Sequence, residues 1–321
     1  MHSNRKGDVM LKYVLKRLGY ILVTLWVIVT CTFFMMKNLP GTPFDAERFS
    51  IMTPQQQERV LEMYGLNDSL PMQYVKYIKN MLKGDLGTSF TYVNQGVSKV
   101  ITGRLGPSAL IGIQAVLIGL AIGLILGILA AWKHNSGIDY FTMILAVLGV
   151  SVPNFVAAAL LQYYIGLKWG ALPVGFWTGW NCSVLPSIAL SFSATAMVAR
   201  FMRTEMLDVL DQDYIVTARA KGLSQMKVLM RHAVRNSILP VVTILGPIVV
   251  NLMTGSLAVE NIFSIPGIGS LFVDCIKAND YPVIMGITIF YAAFYMLIVL
   301  LVDLAYSLID PRIRLAKGKE S

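Results

Sequence analysis

The side chains with the widest chemical latitude are few and scattered. Histidine occurs at His2, His134 and His232, and no spacing brings two of them onto one metal. Cys31, Cys182 and Cys275 lack metal spacing as well. The sequence holds no G-x-x-x-x-G-K-[ST] loop to cradle a nucleotide phosphate and no H-E-x-x-H to hold a zinc. No serine pairs with a histidine inside an apolar run. The residues thus offer no catalytic site and no metal site. Asp303 is the clear case of a carboxylate inside a long apolar run, about two turns from its end. Such a group belongs either to an ion pathway or, preferably here, to a structural ion pair or hydrogen bond.

Uncharged polar residues say more. Ser187, Ser191 and Thr195 recur every four residues and share one helix face. Thr243 and Asn251 flank Pro247 at the same spacing. These five are candidates for lining a wet cavity of hydroxyls and amides. The competing reading is hydroxyls bonded back to a carbonyl one turn earlier, common in spanning helices.

A third set is the stretch DYIVTARAKGL at 213–223. Asp213 can cap a helix and Asp211 adds negative charge at its positive end. Arg219 and Lys221 suit the negative end, and Gly222 suits the left-handed position just past it. The helix then covers Tyr214 to Lys221, ~12 Å long. A helix that short is unstable alone in water, so it must dock. Ala218 and Ala220 are small enough for a partner surface to close in, and Tyr214 offers an aromatic knob.

The elements around these residues are apolar. Of 321 residues, 55% are hydrophobic and 14% charged, against about a quarter charged in soluble domains. Six runs are long enough to cross a bilayer, which takes ~20 residues: Leu11–Met36, Pro107–Trp132, Tyr140–Leu167, Leu185–Met202, Ile238–Val259 and Val283–Ile309. The fold expected is an all-α integral membrane protein with six transmembrane helices. The net charge of +9 does not indicate nucleic acid, because the bases cluster beside the ends of apolar runs. Arg5, Lys6, Lys12, Lys16, Arg17, Lys133, Arg200, Arg203, Arg219, Lys221, Lys227, Arg231, Arg235, Arg312, Arg314, Lys317 and Lys319 fall on one side. The two short loops opposite hold only Lys168 and Lys277. The positive-inside rule then puts both termini in the cytoplasm. The first run is longer than a signal h-region and no A-x-A site follows, so it reads as an uncleaved anchor. Met10 is an equally good start, with residues 1–9 as an extension.

Four segments follow: 1–36, the cytoplasmic N-terminus and first span; 37–106, extracytoplasmic; 107–309, a five-helix core with a cytoplasmic loop at 203–237; and 310–321, a cytoplasmic tail. The second segment opens with the turn-rich NLPGTPF. It then predicts one helix with Thr53 as cap and Gly65 as stop, and another from Pro71 to Gly84. Gly119, Gly123 and Gly127 bare one helix face for close packing. Pro153, Pro186 and Pro247 each remove a helix hydrogen bond and permit a kink. Cys182 and Cys275 both fall outside, as a disulfide or, preferably, as two unpaired thiols.

DYIVTARAKGL also resembles the cytoplasmic coupling motif of ABC-importer permeases, E-A-A-x3-G-x9-I-x-L-P. Aligned on Gly222, Ala218 and Gly222 match. Val216 and Thr217 replace Glu and Ala, and His232, Val234 and Arg235 stand at the Ile, Leu and Pro positions. The longer stretch DYIVTARAKGLSQMKVLMRHAVRNSILPVV closely resembles the variant in the oligopeptide/dipeptide permease branch. So do YGLNDSLPMQYVKYIKNMLKGDLGTSF, ENIFSIPGIGSLFVDCIKANDYPV and LVDLAYSLIDPRIR, in order along nearly the whole chain.

The resemblance implies a type I ABC importer permease fold and the first of two permease subunits of a peptide importer in a prokaryotic cell membrane. It implies a second homologous permease, two ATPase subunits and an extracellular or periplasmic binding protein as partners. No cofactor is expected on this chain, since ATP and Mg belong to the ATPases. Asp213, Tyr214, Ala218, Arg219, Ala220, Lys221 and Gly222 would form the ATPase-coupling element. The alternatives are an ion-coupled secondary carrier, a membrane scaffold, or an importer permease for nickel chelates or another small solute.

Overall fold

The computed structural model describes residues 2–38, 49, 51–63, 65–92, 94–253 and 257–309, without the side chains of residues 2–14, 63, 253, 303 and 305–309. The NLPGTPF turn beyond Asn38, the tail at 310–321 and the side chain of Asp303 lie outside the described residues. Among the described residues the chain is helical, with one isolated bridge between Thr88 and Gly96. The helices are α1 (His2–Lys37), α2 (Pro54–Met63), α3 (Leu70–Leu82), α4 (Val97–Trp132), α5 (Gly137–Ser151), α6 (Asn154–Leu161), α7 (Val184–Leu210), α8 (Asp213–Ala220), α9 (Arg235–Met253), α10 (Leu257–Ile262), α11 (Ile268–Lys277) and α12 (Tyr281–Ile309). Among the described residues five helices are long and apolar enough to cross a membrane. A sixth span results if the bent pair Gly137–Ser151 and Asn154–Lys168 is one crossing.

That pair is the predicted third span, and it bends by 101°. The break falls at Val152 and Pro153, because proline excludes its predecessor from the α region; Val152 is extended at ψ 118°. Pro247 sits inside α9 as expected, together with Pro240, and Pro107 lies inside α4. Pro186 behaves differently from expectation. It is the third residue of α7, where the first four N–H groups lack intrahelical partners anyway, so it removes no bond.

The chain divides into two compact units, residues 1–106 with 270–296 and residues 107–269 with 297–321. In the first, Thr53 and Gln56 form a capping box at α2: the Thr53 N–H donates to Gln56 Oε1 at 2.9 Å and the Gln56 N–H to Thr53 Oγ1 at 3.4 Å. Gly65 and Gly84 take φ of +64° and +81° past the ends of α2 and α3. Tyr74 of α3 packs on α1: its hydroxyl bonds Thr30 Oγ1 at 2.7 Å, and its ring meets Phe33 and Phe34. Asp280, fully buried, accepts from the N–H groups of Phe90 at 3.2 Å and Thr91 at 3.0 Å and from Ser89 Oγ, and so pins that loop to the start of α12. Cys275 is a free thiol, as is Cys182. Burial, aided by nearby Asp280 and Asp274, pushes the Cys275 thiol up to about 12.

The second unit is built around α7. In its most apolar 18-residue stretch the Trp180–Leu210 span is 67% buried, against 11% for the first span. This span also has the lowest mean hydropathy of the five, 1.6, as suits a helix that packs largely against protein. The glycine ladder of α4 lies on it. A Cβ on Gly119 would sit 2.7 Å from Ala194 Cβ, one on Gly123 2.7 Å from Val198 Cβ, and one on Gly127 2.6 Å from the Ala199 carbonyl oxygen. Gly149 of α5 approaches the opposite side, against Ala196 Cβ and the Phe192 carbonyl. Elsewhere in this unit Glu260, 2% exposed, accepts from Ser108 Oγ at 2.7 Å, and that oxygen accepts from the Ile268 N–H at 2.8 Å. Gln162 Nε2 donates to the Ile262 carbonyl at 2.8 Å. Both contacts hold the α10 region in place.

Candidate functional site

The DYIVTARAKGL stretch forms α8 and its exit. Two residues, Asp211 and Gln212, separate it from α7. Gln212, with φ −79° and ψ 147°, occupies the N-cap position and makes no side-chain cap bond. Asp213 is therefore the first helical residue rather than the cap: it complements the dipole from inside the first turn but satisfies no orphan N–H. Thr217 Oγ1 donates to the Asp213 carbonyl at 3.0 Å.

The exit is a complete Schellman motif. The Gly222 N–H donates to the Arg219 carbonyl at 3.0 Å and the Leu223 N–H to the Ala218 carbonyl at 3.4 Å. Gly222 takes φ +75°, the conformation that favours glycine. Lys221 is the C-cap, so the helix ends one residue earlier than the sequence suggests.

The helix has two faces. Ile215, 0% exposed, and Ala218, 5% exposed, close on Val228 beside Val209 and Leu210. Tyr214, Val216, Thr217, Arg219, Ala220 and Lys221 face outward. The small side chain of Ala218 is used by its own chain to seat α8. Ala220 keeps the open position. Tyr214 is both exposed and tethered, because Asn236 Nδ2 donates to its hydroxyl at 3.1 Å. Beside it, Arg231, His232, Arg235, Asn236 and Leu239 line a basic cleft. Arg231 and His232 lie on a π-helical segment, Val228–Val234, which feeds directly into α9. Such π segments often accompany functional sites.

The seat continues inward. Ser237 Oγ, fully buried, donates to the Ala233 carbonyl at 2.9 Å and to the Glu205 carbonyl at 3.3 Å, joining the root of α9 to α7. Arg203 of α7 grips Asp139 of α5 with two nitrogens, and Asp139 Oδ2 also accepts from the Asn135 N–H at 3.0 Å. His134 Nδ1 lies 3.1 Å from the same oxygen.

The candidate path residues separate. Ser187 is fully buried, with its hydroxyl on the Ile111 carbonyl at 3.2 Å and Gln114 Oε1 at 2.9 Å. Ser191 is 2% exposed and donates to the Ile188 carbonyl at 2.8 Å. Both are packed inside this unit, on the side of α7 that meets α4. The shared face is the one on which the glycine ladder closes. Thr195 sits on that face, half-buried, with its backbone against Gly119 and Gly123. Thr243 is half-buried and bonds the Pro240 carbonyl at 2.6 Å, whereas Asn251 is exposed. Among the described residues no group of His, Cys, Asp and Glu could hold a metal.

Comparison with known proteins places this architecture. The chain matches the family model "Binding-protein-dependent transport system inner membrane component" over residues 123–315 and its N-terminal companion model over residues 10–104. It is 46% identical over 306 residues to the dipeptide transport system permease protein DppB of Lactococcus lactis, covering 95% of this chain and 100% of that protein. Identity to DppB of Bacillus subtilis is 43%, covering 96% and 99%. Identity to the oligopeptide transport system permease protein OppB of Escherichia coli K12 is 38%, covering 95% and 100%. Among solved structures, an amino acid ABC transporter with histidines superposes at TM-score 0.50 and 20% identity, covering 67% of this chain and 94% of that one. The MetNI methionine ABC transporter superposes at TM-score 0.50 and 14% identity, covering 68% and 96%. These two share the fold. With one family model across the core, its companion across the amino-terminal third and relatives matched end to end, the chain belongs to the binding-protein-dependent transport system inner membrane component family.

Proposed function

We propose that this chain is the first of two permease subunits of an ATP-driven importer, and that it forms half of the translocation path for peptides handed over by a binding protein outside the cell. The observation that carries the reading is α8. It is an eight-residue helix buried on one side by its own chain and bare on the other, two residues from the most buried span. A helix in that position is a handle. Force applied to its exposed face passes through Ile215 and Ala218 into α7. Its relatives among the dipeptide and oligopeptide permeases support the substrate class, dipeptides or oligopeptides.

In this reading two ATPase subunits sit below the pair of permeases, one on each coupling helix, and they bind ATP and Mg. Tyr214, Val216, Arg219, Ala220 and Lys221 meet the ATPase, while Gly222 fixes the exit angle. Thr195, Thr243 and Asn251 remain as path residues. Asn251 is the best placed, exposed four residues beyond Pro247 in α9. Both termini are cytoplasmic, segment 37–106 is extracytoplasmic, segment 107–309 is the core, and the host is a prokaryote.

The test is reconstitution with the second permease, the ATPase pair and the binding protein. A cysteine placed at Arg219 or Val216 should cross-link to an ATPase and never to the binding protein, and peptide should stimulate ATP hydrolysis. Uptake that continues without the ATPases and collapses with the proton gradient would replace this reading with an ion-coupled carrier.

A further inference from the structure

The first compact unit holds an apolar groove whose lining includes none of the residues assigned above to coupling or to the path. It is lined by Trp26 of α1, by Tyr74, Val75, Ile78, Lys79 and Leu82 of α3, and by Lys83 just beyond. On α3, residues 75, 78, 79 and 82 fall on one helical face, at the spacing i, i+3, i+4, i+7, and the C-cap Lys83 continues it. That face is bare: Val75 is 57% exposed and Leu82 78%. An apolar stripe of this kind is not left to water without reason.

Its depth identifies its surroundings. Tyr74 is bonded to Thr30 and stacked on Phe34 of α1, within seven residues of Lys37, where the first span ends. Trp26 lies eleven residues before Lys37, about 16 Å along the helix axis and inside the ~30 Å hydrocarbon layer. The groove therefore reaches from the membrane interface into the acyl region. Tyr74, nearer the Lys37 end, is an amphipathic ring of the kind enriched at the interface, and Trp26 supplies apolar wall deeper in the acyl region.

The rim carries the second observation. Lys79 and Lys83 are exposed and, among the described residues, form no ion pair. Lys76, one turn away, is already matched to Asp68 at 2.6 Å. We infer that α1 and α3 form a binding site for an anionic phospholipid in the leaflet at the Lys37 end of the first span. An acyl chain lies along Trp26, Val75, Ile78 and Leu82, and Lys79 and Lys83 take the phosphate. Both the apolar wall and the unmatched charge are needed, so a lipid fits where a soluble anion or a neutral lipid does not.

The test uses the assembled complex, purified from nanodiscs of mixed phosphatidylglycerol and phosphatidylcholine, with retained lipid read by native mass spectrometry. Wild type should retain phosphatidylglycerol with a preference of the order of tenfold, since each lysine at a membrane surface favours anionic lipid. K79Q/K83Q should bring the ratio near parity. V75W should fill the groove and lower retention of both lipids, whereas K76Q should leave the ratio within twofold. Glycerol phosphate, the headgroup without chains, should not compete. Equal retention of the two lipids by wild type, an unchanged ratio in K79Q/K83Q, or full displacement by glycerol phosphate overturns the site. So does a cross-link from V75C to another subunit that excludes lipid. Assembly yield of each variant distinguishes lost binding from lost folding.

Discussion

Arg203 holds Asp139 with two donors at once, Nε to Oδ1 at 2.6 Å and Nη2 to Oδ2 at 2.8 Å, across 64 residues of sequence. The carboxylate side chain is 3% exposed and the guanidinium 20%. The pair locks α5 against the same end of α7 that carries α8. A motion of α8 that reaches α7 is therefore shared with α5.

Arg203→Met should strand that carboxylate. Removing one partner of a buried pair costs about 3–5 kcal/mol, and the purified complex should melt at lower temperature. Arg203→Met with Asp139→Leu should recover most of the loss, because apolar replacements of a whole buried pair are often neutral. If the single and double variants melt alike, the pair is not what joins the helices.

Gly127→Ala should loosen the α4–α7 contact. Its new methyl would lie 2.6 Å from the Ala199 carbonyl and 2.8 Å from Met202 Cβ, and overpacking of this kind costs about 1–3 kcal/mol. Gly103→Ala, on the same helix with nothing within 4 Å, should instead stabilise by about 0.5–1 kcal/mol. Thermal unfolding of the two variants side by side separates packing from helix propensity.

Gly222→Val should strain the exit of α8 by about 1–2 kcal/mol, since its φ is +75°. Gly222→Asn should be milder, because asparagine tolerates that region. The expected order of substrate-stimulated ATP hydrolysis is wild type, then Asn, then Val. Surface abundance should be unchanged, as no span is touched.

Ala218→Asp and Val216→Asp should fail in different ways. Ala218 is 5% exposed within its own chain and Val216 is 60% exposed. A carboxylate at 218 is desolvated against Ile215 and Val228, at a cost of at least about 2 kcal/mol. It should release α8 from its seat and raise proteolysis in the 211–223 segment of the isolated permease. Val216→Asp should leave proteolysis unchanged and weaken only ATPase association. Equal protease sensitivity would mean that α8 is not seated by Ala218.

Cys275 should resist alkylation. Its thiol is 1% exposed and raised to about 12 by burial. The unfolded thiol, near 8.5, ionises first. Its contribution to stability is thus fully present below about 8.5 and declines as pH rises towards 12. At pH values between these limits iodoacetamide should label the denatured chain quickly and the native chain slowly. Fast native labelling would show an open environment around α11.

Local demands on the backbone were legible in the sequence. Gly65, Gly84 and Gly222 stop helices because each must take positive φ, and Pro153 breaks the third span because proline restricts its neighbour; both effects act within a few residues. Apolar run length likewise marked the spans. What sequence periodicity could not say is what faces a given stripe. Ser187, Ser191 and Thr195 share a face, but that face meets α4, whose own glycine ladder was the clue to a close neighbour. Ala218 shows the same limit of periodicity, since smallness suits an internal seat as well as an external partner, and here it packs on Ile215 and Val228. Asp139–Arg203 and Glu260–Ser108 join residues 64 and 152 apart in sequence. Their one sequence signal was an acid beside or within an apolar stretch, with no indication of its partner.

Three glycines on α4 let its backbone touch that of α7 over eight residues, ~12 Å of shared length. Two rods joined at three points along that length cannot slide past one another or flex separately, so they bend as one thicker beam. Beyond Leu210 the beam has only Asp211 and Gln212 before α8, too short a link to absorb a turn. A tilt imposed at that end is delivered along the ~40 Å of α7, and each degree of it displaces the far end by ~0.7 Å. The missing side chains of Gly119, Gly123 and Gly127 thus convert a soft pair of helices into a stiff lever arm.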